Sequence, residues 1–434
     1  MPTISRVLGP HRPRLEGLWR HPDFRKFWAG RTVSMFGSQI TTIALPLVAV
    51  VTLGASPAEM ATLYAAGYTP PILVGLLAGV WVDRLRRRPL MVLSDVGRAA
   101  LLALVPLAGV LGLLRIELLL AVAFLVGVLG VLGDAADNAY LPSLVGREHL
   151  VEANAKLEAS SSVARIAGPG IGGLLVQLLS APVAVAMDAV SFLASALSLG
   201  LIRKAEPPPP PPHERRPLRI EIVEGLRSLL GNPVLRAFLA SSVTFDLAWN
   251  ALFALYFVYV TRELGLPAGA YGLIFGVGSV GSMVGALLAG PVARRLGVGP
   301  VCIASQLAVG LGSLPIALAA AIPDAALPLL VGAEFAQSCA DTIYSINRNS
   351  LTQTVTPDRV LGRVYASRSF VGLGVVPLAA FLGVALSARI GVTGTVVVGA
   401  CAGLPSFLWL LFSPVRTLRR MPGAAPPQDE PTNG

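Results

Sequence analysis

Twelve windows of roughly 20 predominantly apolar residues follow one another along this chain of 434 residues. They fall at 27–53, 58–82, 89–113, 118–141, 155–179 and 182–202, then at 234–260, 270–292, 300–322, 325–346, 360–386 and 392–412. As a helix, each window is long enough to cross a hydrocarbon core of about 30 Å. In lipid a spanning segment must satisfy its own backbone polar groups, so windows of this length are read as helices. The expectation is an all-α integral membrane protein of twelve spans, with a kink at Pro70-Pro71 inside the second.

Charge agrees with that reading. Only 13% of residues are charged, against about 25% in soluble domains, and the mean hydropathy is +0.70. The formal net charge of +10 would suit a nucleic-acid partner, but the cations cluster in short loops and form no continuous basic face. An even number of spans places both chain ends on one side, and alternate loops should then be the basic ones. They are: 84–88, Arg147, Arg203 with Lys204, Arg294 with Arg295, and Arg359 with Arg363. Loops 53–57, 180–182 and 322–325 hold no Lys or Arg, while Arg115, Arg262 and Arg389 are exceptions. Both termini are expected in the cytoplasm, the spans in the inner (cytoplasmic) membrane.

Arg6, Arg12 and Arg14 precede an apolar stretch too long for a signal-peptide core, so it should remain attached as the first span. Cys302, Cys339 and Cys401 lie inside apolar segments without metal-ligand spacing, and are read as small hydrophobes.

An unbroken proline run, 207–212, separates the two sets of six windows and reads as a stiff extended spacer that cannot enter a bilayer. The expected organisation is a cytoplasmic segment 1–26, a six-helix bundle 27–202, a cytoplasmic linker 203–233, a second six-helix bundle 234–413 and a disordered tail 414–434. Within the linker, 218–230 is either an amphipathic helix on the membrane surface or a solvated connection. Internal repetition supports paired halves. Residues 79–85 read like 290–296, 141–145 like 351–355, and 148–150 like 358–360, at offsets of roughly 210 residues. Arg294 stands in the second copy where Asp83 stands in the first.

Between the second and third windows, Gly79, Asp83, Arg84, Arg87 and Arg88 form a Gly, three residues, Asp-Arg and paired-cation pattern. Here the chain most resembles the major facilitator superfamily of secondary transporters, with Arg86 where the pattern has its second Gly. The resemblance implies two pseudo-symmetric six-helix bundles working by alternating access. It also implies a conformational latch in which Asp83 accepts donors from a helix N-terminus or pairs with an Arg across the bundle interface. The plainer alternative, cations that only fix topology, is kept for Arg86.

In the fifth window, Gly168, Pro169, Gly172 and Gly173 resemble the core of the motif that marks antiporters and drug exporters in this superfamily, with Ala164 replacing the upstream Gly. A generic small-residue packing face is the alternative. The fourth window lacks the buried Arg of many proton-coupled drug exporters. Leu141-Pro142, Glu152-Ala153-Asn154, Asp188, Ser191-Phe192 and the start Phe24-Arg25-Lys26-Phe27-Trp28 leading to Arg31 and Gly37 resemble the bacterial branch of enterobactin exporters and macrolide efflux proteins.

Ionisable groups inside spans are costly and therefore informative. Asp134 and Asp137 share a helix face with Asn138; Asp246 has Asn250 one turn beyond; Glu334 and Asp341 share a face of the tenth window; and Gln39 sits at mid-depth in the first. In the resembled fold these spans line the cavity. Asp95 and Arg98 read as a structural ion pair, and Arg165 shares a face with Glu158 or neutralises an acid of the fourth window. Asp188 is either solvated or functional. No cation within its own span reaches Asp246, the leading candidate for proton exchange, with the acids of the fourth and tenth windows behind it. A carboxyl holds its proton more tightly when buried than when water reaches it, which links protonation to conformation. His11, His21, His149 and His213 all lie outside the spans.

No zinc-type cluster, catalytic triad or nucleotide-binding loop is legible. The expectation is therefore no enzyme and no cofactor. It is instead an ion-gradient-driven transporter, proton-coupled and exporting a hydrophobic or amphipathic small molecule such as a drug or siderophore. Its expected partners are the lipid bilayer and its cargo, without nucleic acid, and its expected state is a monomer. High Ala, Gly, Pro and Arg usage points to a GC-rich bacterial genome. Alternatives are uptake by the same fold, a non-transporting membrane receptor, or a polytopic membrane enzyme.

Overall fold

The computed structural model describes residues 17–75, 82, 85–146, 149–204, 206 and 226–418, and among these every regular element is a helix. The first half comprises α1 (Pro22–Leu47), α2 (Pro57–Tyr68, resuming over residues 70–75), α3 (Arg87–Val110), α4 (Ile116–Val145), α5 (Leu150–Leu178) and α6 (Ala181–Gly200). The second comprises α7 (Pro233–Val258), α8 (Gly269–Leu296), α9 (Val298–Leu318), α10 (Ala326–Val355), α11 (residues 358–390) and α12 (residues 391–411). Gly391, at φ 76°, breaks the otherwise continuous stretch Asp358–Gly403 into α11 and α12. The backbone there lies in the left-handed region that glycine adopts without steric penalty.

The twelve spans follow the expected order. Eight stretches among the described residues are long and apolar enough to cross a membrane on composition alone, one of them containing both α11 and α12. Helices α5 and α10, of 29 and 30 residues, are long enough but too polar. The cause is Glu152, Lys156, Glu158 and Arg165 in α5, and Glu334, Asp341 and Arg348 in α10. The expected kink appears at Thr69, where α2 bends before Pro70, whose ring nitrogen cannot donate to the helical ladder.

The halves repeat in three dimensions at one fixed offset. Pro22 and Pro233 open α1 and α7, 211 residues apart (233 − 22), and both helices end in a wide π turn, Val48–Thr52 and Tyr259–Glu263. Each π turn is followed by a left-handed glycine, Gly54 or Gly265. The same 5-residue hydrogen-bond spacing recurs, Leu53 N to Val48 O and Leu264 N to Tyr259 O.

The two sides of the molecule differ in how the halves meet. We call the side where the described chain begins and ends the termini side. Away from it, one apolar core runs through both halves, from Ile43, Leu47 and Met60 to Tyr256, Tyr259 and Tyr271. A second shared cluster joins Ala61 and Ala65 of α2 to Ala254 of α7 and Ala380 of α11. On the termini side the cores are separate: Phe24, Phe27, Met91 and Tyr140 in the first half, Val234, Phe238, Cys302 and Tyr344 in the second. Lipid tails give apolar side chains little reason to associate, so close backbone packing must hold the shared side together. Helices α5 and α8 supply it: a Cβ added at Gly173 would sit 2.3 Å from the Gly272 nitrogen, and one at Gly170 3.5 Å from the Gly276 Cα. Among the described residues, the halves thus share an apolar core on one side and keep separate cores on the termini side.

On the termini side, polar groups tie helix ends within the first half. Asp23 accepts from Lys26 Nζ at 2.8 Å and from the backbone nitrogens of Arg203 and Lys204. Lys204 Nζ donates to the Leu144 carbonyl at 2.9 Å, at the end of α4. These contacts order the chain as far as Lys204, inside the expected linker. Residues 226–230 are helical and lead into α7, while 207–225, including the proline run, lie outside the described residues.

Two expected boundaries move. Helix α1 begins at Pro22, five residues earlier than the apolar window, because Pro suits the first helical turn. The expected tail is corrected at its start: Pro414–Thr417 forms a 3-10 turn with Val415 buried, and the Leu418 carbonyl accepts from Gly299 N at 2.8 Å. A left-over backbone donor at the start of α9 is thereby satisfied. Residues 419–434 lie outside the described residues.

The packing makes a direct prediction. In a background lacking the native cysteines, Ala61→Cys paired with Ala254→Cys should cross-link readily. Adding Gly173→Val should cut the yield several-fold, because its side chain has no room against the Gly272 backbone. Non-reducing gel electrophoresis reads the outcome.

Candidate functional site

Three cavities lined by span residues hold the ionisable groups, two in the first half and one in the second; the third of them, of about 830 Å³, gathers Arg31, Asp134, Asp137 and Glu158 between α1, α4 and α5. The first, of about 340 Å³, is enclosed by α1, α2, α3, α4 and α6, with α7 of the other half closing it. Its wall is mostly apolar and aromatic, including Leu45, Met60, Tyr64, Tyr68, Phe192, Phe253 and Phe257, with Thr41, Arg98 and Asp188 as polar points.

Asp188 is only 1% exposed, so of the two expectations the solvated one fails. Its carboxylate accepts from Thr41 Oγ1 at 2.5 Å and Ser191 Oγ at 2.9 Å, and α1 comes close enough at Gly37 to permit this because that residue has no side chain. Arg98 pairs with Asp95 at 2.6 Å, as expected, and its guanidinium also covers the Phe192 ring at 4.3 Å. That stacking places a cation beside Asp188 while the charge of Arg98 is matched on its own helix.

The second cavity, of about 280 Å³, lies among α7, α8, α9 and α10 and is polar. It gathers Asp246, Glu334 and Asp341, three acids from two helices, together with Ser242, Gln337, Ser338 and Arg348. Glu334 accepts from Ser338 Oγ at 3.2 Å. Arg348 donates to Ser242 Oγ at 3.1 Å and lies over the Tyr344 ring at 5.0 Å. The field at Asp246 comes from Arg348 of α10 and Arg368 of α11, opposed by Asp341. The cations nearest in effect to Asp246 come from α10 and α11, not from α7. Neither Arg348 nor Arg368 was singled out from the sequence; the signal available was a cation two turns beyond Asp341 on the same helix face. Gln337 Oε1 and Arg348 Nε are buried without a protein partner among the described residues. In a polar cavity of this size, water is the natural partner for such atoms.

The other expected residues distribute as follows. Asp134 and Asp137 both engage Arg31 of α1; Arg31 Nη2 lies 2.7 Å from Asp134, and its Nε contacts Asp137. The Asp134 side chain is 63% exposed and that of Asp137 only 12%. Arg31 thus performs from α1 the neutralisation that Arg165 was considered for. Arg165 instead pairs with Glu158 of its own helix at 2.7 Å, at an exposed position, as well as with Ser161. Gln39 lies against Gly168 and borders none of the three cavities; Asn250 bonds Tyr64 across the halves at 2.7 Å.

The small residues of α5 serve two packing faces. A Cβ at Gly168 or Gly172 would collide with Gln39 or Ile40 of α1, while Gly173 faces α8. Pro169 lies inside the helix between them. Gly79, Asp83 and Arg84 lie outside the described residues. Arg88 donates from Nε to the Leu199 carbonyl at 2.8 Å and from Nη2 to the Gly200 carbonyl, matching a cation to the negative end of α6. The first-turn nitrogens of α3, at Arg87 and Arg88, are taken by the Glu206 carboxylate at 2.6 and 3.1 Å. Glu206 was not anticipated; an acid just past a proline-rich boundary carries no periodic signal.

The Major Facilitator Superfamily model matches residues 27–372 and again 241–431. The chain belongs to that family. It is therefore a multi-pass membrane transporter and not an enzyme. The multidrug efflux pump Tap of Mycolicibacterium fortuitum is 28% identical over 372 residues, 83% of this chain and 88% of that protein. The enterobactin exporter EntS of Escherichia coli is 27% identical over 356 residues, 79% of this chain and 80% of that protein. Among solved structures, a bacterial homologue of the iron transporter ferroportin in its inward-facing state superposes with a TM-score of 0.69 at 18% identity, covering 91% of this chain and 99% of that one. The outward-facing state of a bacterial ferroportin homologue gives 0.54 at 19% identity, over 90% and 98%.

The Arg31 pairs yield a stability prediction. Removing one partner of a buried pair costs about 3–5 kcal/mol, whereas an exposed pair is worth about 0–1 kcal/mol. Arg31→Gln should therefore lower the melting temperature in detergent markedly, Asp134→Asn only slightly, and Asp137→Asn combined with Arg31→Gln should recover part of the loss. Thermal unfolding followed by fluorescence-detected size exclusion measures all three.

Proposed function

We propose that this transporter exports a hydrophobic or amphipathic small molecule, a drug or siderophore, in exchange for protons. The observation that carries the reading is the pairing of a largely apolar cavity in the first half with a three-carboxylate cavity in the second. An apolar, aromatic-lined space holds such cargo with few directional contacts. Carboxylates inside a membrane cost about 2.5–3.5 kcal/mol each, so three around one cavity are retained for what their charge does. Tap and EntS, named as a multidrug pump and a siderophore exporter, support the exporting direction, as does the small-residue motif of α5.

In this reading the protein sits in the cytoplasmic membrane with both termini in the cytoplasm, and the basic loops on the termini side face inward. The present arrangement then opens toward the cytoplasm, where cargo enters. Asp246, with Glu334 and Asp341 behind it, takes up a proton on the outer side and releases it inward, because water reaches the acids differently as the halves alternate. Asp83, Arg84, Arg87 and Arg88 hold the inner side closed in the other half of the cycle. No cofactor takes part; the transporter acts as a monomer in the bilayer on an ion gradient, without nucleic acid.

Everted membrane vesicles holding the full chain give the test, challenged with a catecholate siderophore, a macrolide and the lipophilic cation ethidium, with lumenal and external pH followed by dye. One of these compounds should trigger proton movement out of the acidic lumen, and Asp246→Asn should reduce that response to background while inserting normally. Full response from Asp246→Asn with unchanged pH dependence would remove Asp246 from the role. Accumulation of a compound against the opposite gradient would make the protein an importer.

A further inference from the structure

One hydrogen bond starts at the wall of the apolar cavity and ends one helical turn from a residue of the acidic one. Tyr64 lines the apolar cavity, and Asp246 lines the acidic one. Tyr64 Oη donates to Asn250 Oδ1 at 2.7 Å, crossing from α2 to α7 and so from one half to the other. Asn250 Nδ2 in turn donates to the Asp246 carbonyl one helical turn away, also at 2.7 Å. Only the nitrogen end of an amide can donate to a carbonyl, so this second bond fixes which way Asn250 points. The Tyr64 ring is held against Phe253 at 5.7 Å, and Phe253 lines the apolar cavity too.

The internal repeat makes the bond one-sided. At the offset of 211 residues given by Pro22 and Pro233, Tyr64 corresponds to Phe275 and Asn250 to Gln39. The aromatic ring and the amide recur, but Phe275 has no phenol, and Gln39 lies against Gly168. Packing alone would be served by the ring; of the two corresponding positions, the hydroxyl stands at the one that lines the apolar cavity.

We propose that Tyr64 and Asn250 are a positioning pair that couples cargo to proton: occupancy of the apolar cavity is read at the carboxylate cavity through this bond. The inference rests on the proton-coupled export proposed above. With the cavity empty, the phenol is spent on Asn250 and the outer side stays closed beside Asp246. Cargo that offers an acceptor to Tyr64 Oη competes for that proton donor, frees Asn250, and lets the halves part on the outer side. Asp246 then meets the outer solution only when cargo is aboard. The charged groups that face Asp246 from its neighbours are Asp341 and Arg348 of α10 and Arg368 of α11, with Glu334 of α10 on the same cavity, and none of them bonds Tyr64.

Full-length protein in liposomes, loaded with a pH dye and given the same three compounds, tests the pair. Tyr64→Phe keeps the ring and removes the hydroxyl. Its affinity for the compound that works on the wild type should stay within about twofold, while the ratio of proton movement with cargo to proton movement without it falls about three- to twentyfold, the shift expected for losing one hydrogen bond in a membrane protein. A cargo-independent proton leak should appear as well, a readout that lost packing at constant affinity does not produce. Asn250→Ala should give the same uncoupling, and the double variant should be no worse than either alone. Undiminished coupling in Tyr64→Phe beside a responsive wild type overturns this inference alone. Additive losses in the double variant also overturn it, since two residues acting through one bond cannot lose it twice. A wild type that moves no protons with any compound overturns the proton-coupled reading, and this inference with it.

Discussion

The rest of the structure depends on close backbone contact between α5 and α8. Within a bilayer, apolar side chains gain little by leaving lipid for one another, so two helical halves stay together where their backbones can approach. Gly170 and Gly173 against Gly272 and Gly276 provide that approach, among the described residues on the side away from the termini, and the alanine cluster of α2, α7 and α11 extends it. The termini-side cores of the two halves remain independent. Among the described residues, the side on which the halves share a core is the side on which these small residues are placed.

A contact of this kind must also be reversible. Hydrogen bonds between membrane helices average about 0.6 kcal/mol and reach about 1.7 kcal/mol, changing a population by factors of roughly 3 to 20. A cross-half bond of that size can bias a two-state equilibrium without locking it. The stronger interactions stay within one half: Arg31 with Asp134 and Asp137, Arg98 with Asp95, Arg88 with the end of α6. The first half is braced by its own ion pairs and is joined to the second by weak, separable contacts. This division lets the halves move as bodies.

Much of the fold was legible because its signals are periodic or compositional. Apolar windows gave the order of the spans, Pro70-Pro71 gave the bend at Thr69, and repeated motifs pointed to an offset that α1 and α7 fix at 211 residues. The acids were visible as isolated charges in apolar runs. Their partners were not, since pairing depends on which helices are neighbours. Arg31 reaches Asp134 across 103 residues of sequence, and the Tyr64 to Asn250 bond spans 186. Asp188 shows the limit most clearly: its position suggested the outer end of a helix, yet Gly37 on α1 leaves room for Thr41 to bury and satisfy it. The termini-side fastening by Glu206 was equally hidden, because a helix cap supplied from beyond the next three helices has no local signature.

The departures from exact repetition carry the division of labour. Position by position the halves share a helix start, a π turn and a left-handed glycine, so the scaffold is duplicated. What differs is polar. At the place of Asp246 the first half has Met35, and at the place of Tyr64 the second has Phe275. The first half keeps acids of its own, Asp134, Asp137 and Glu158, around the cavity beside Arg31; what the halves do not share is the aromatic cavity of the first and the cluster of Asp246, Glu334 and Asp341 in the second. Under the export proposed above, cargo and proton would bind on opposite sides of the interface, and two ligands that bias one relative motion of the halves are thermodynamically coupled without having to meet.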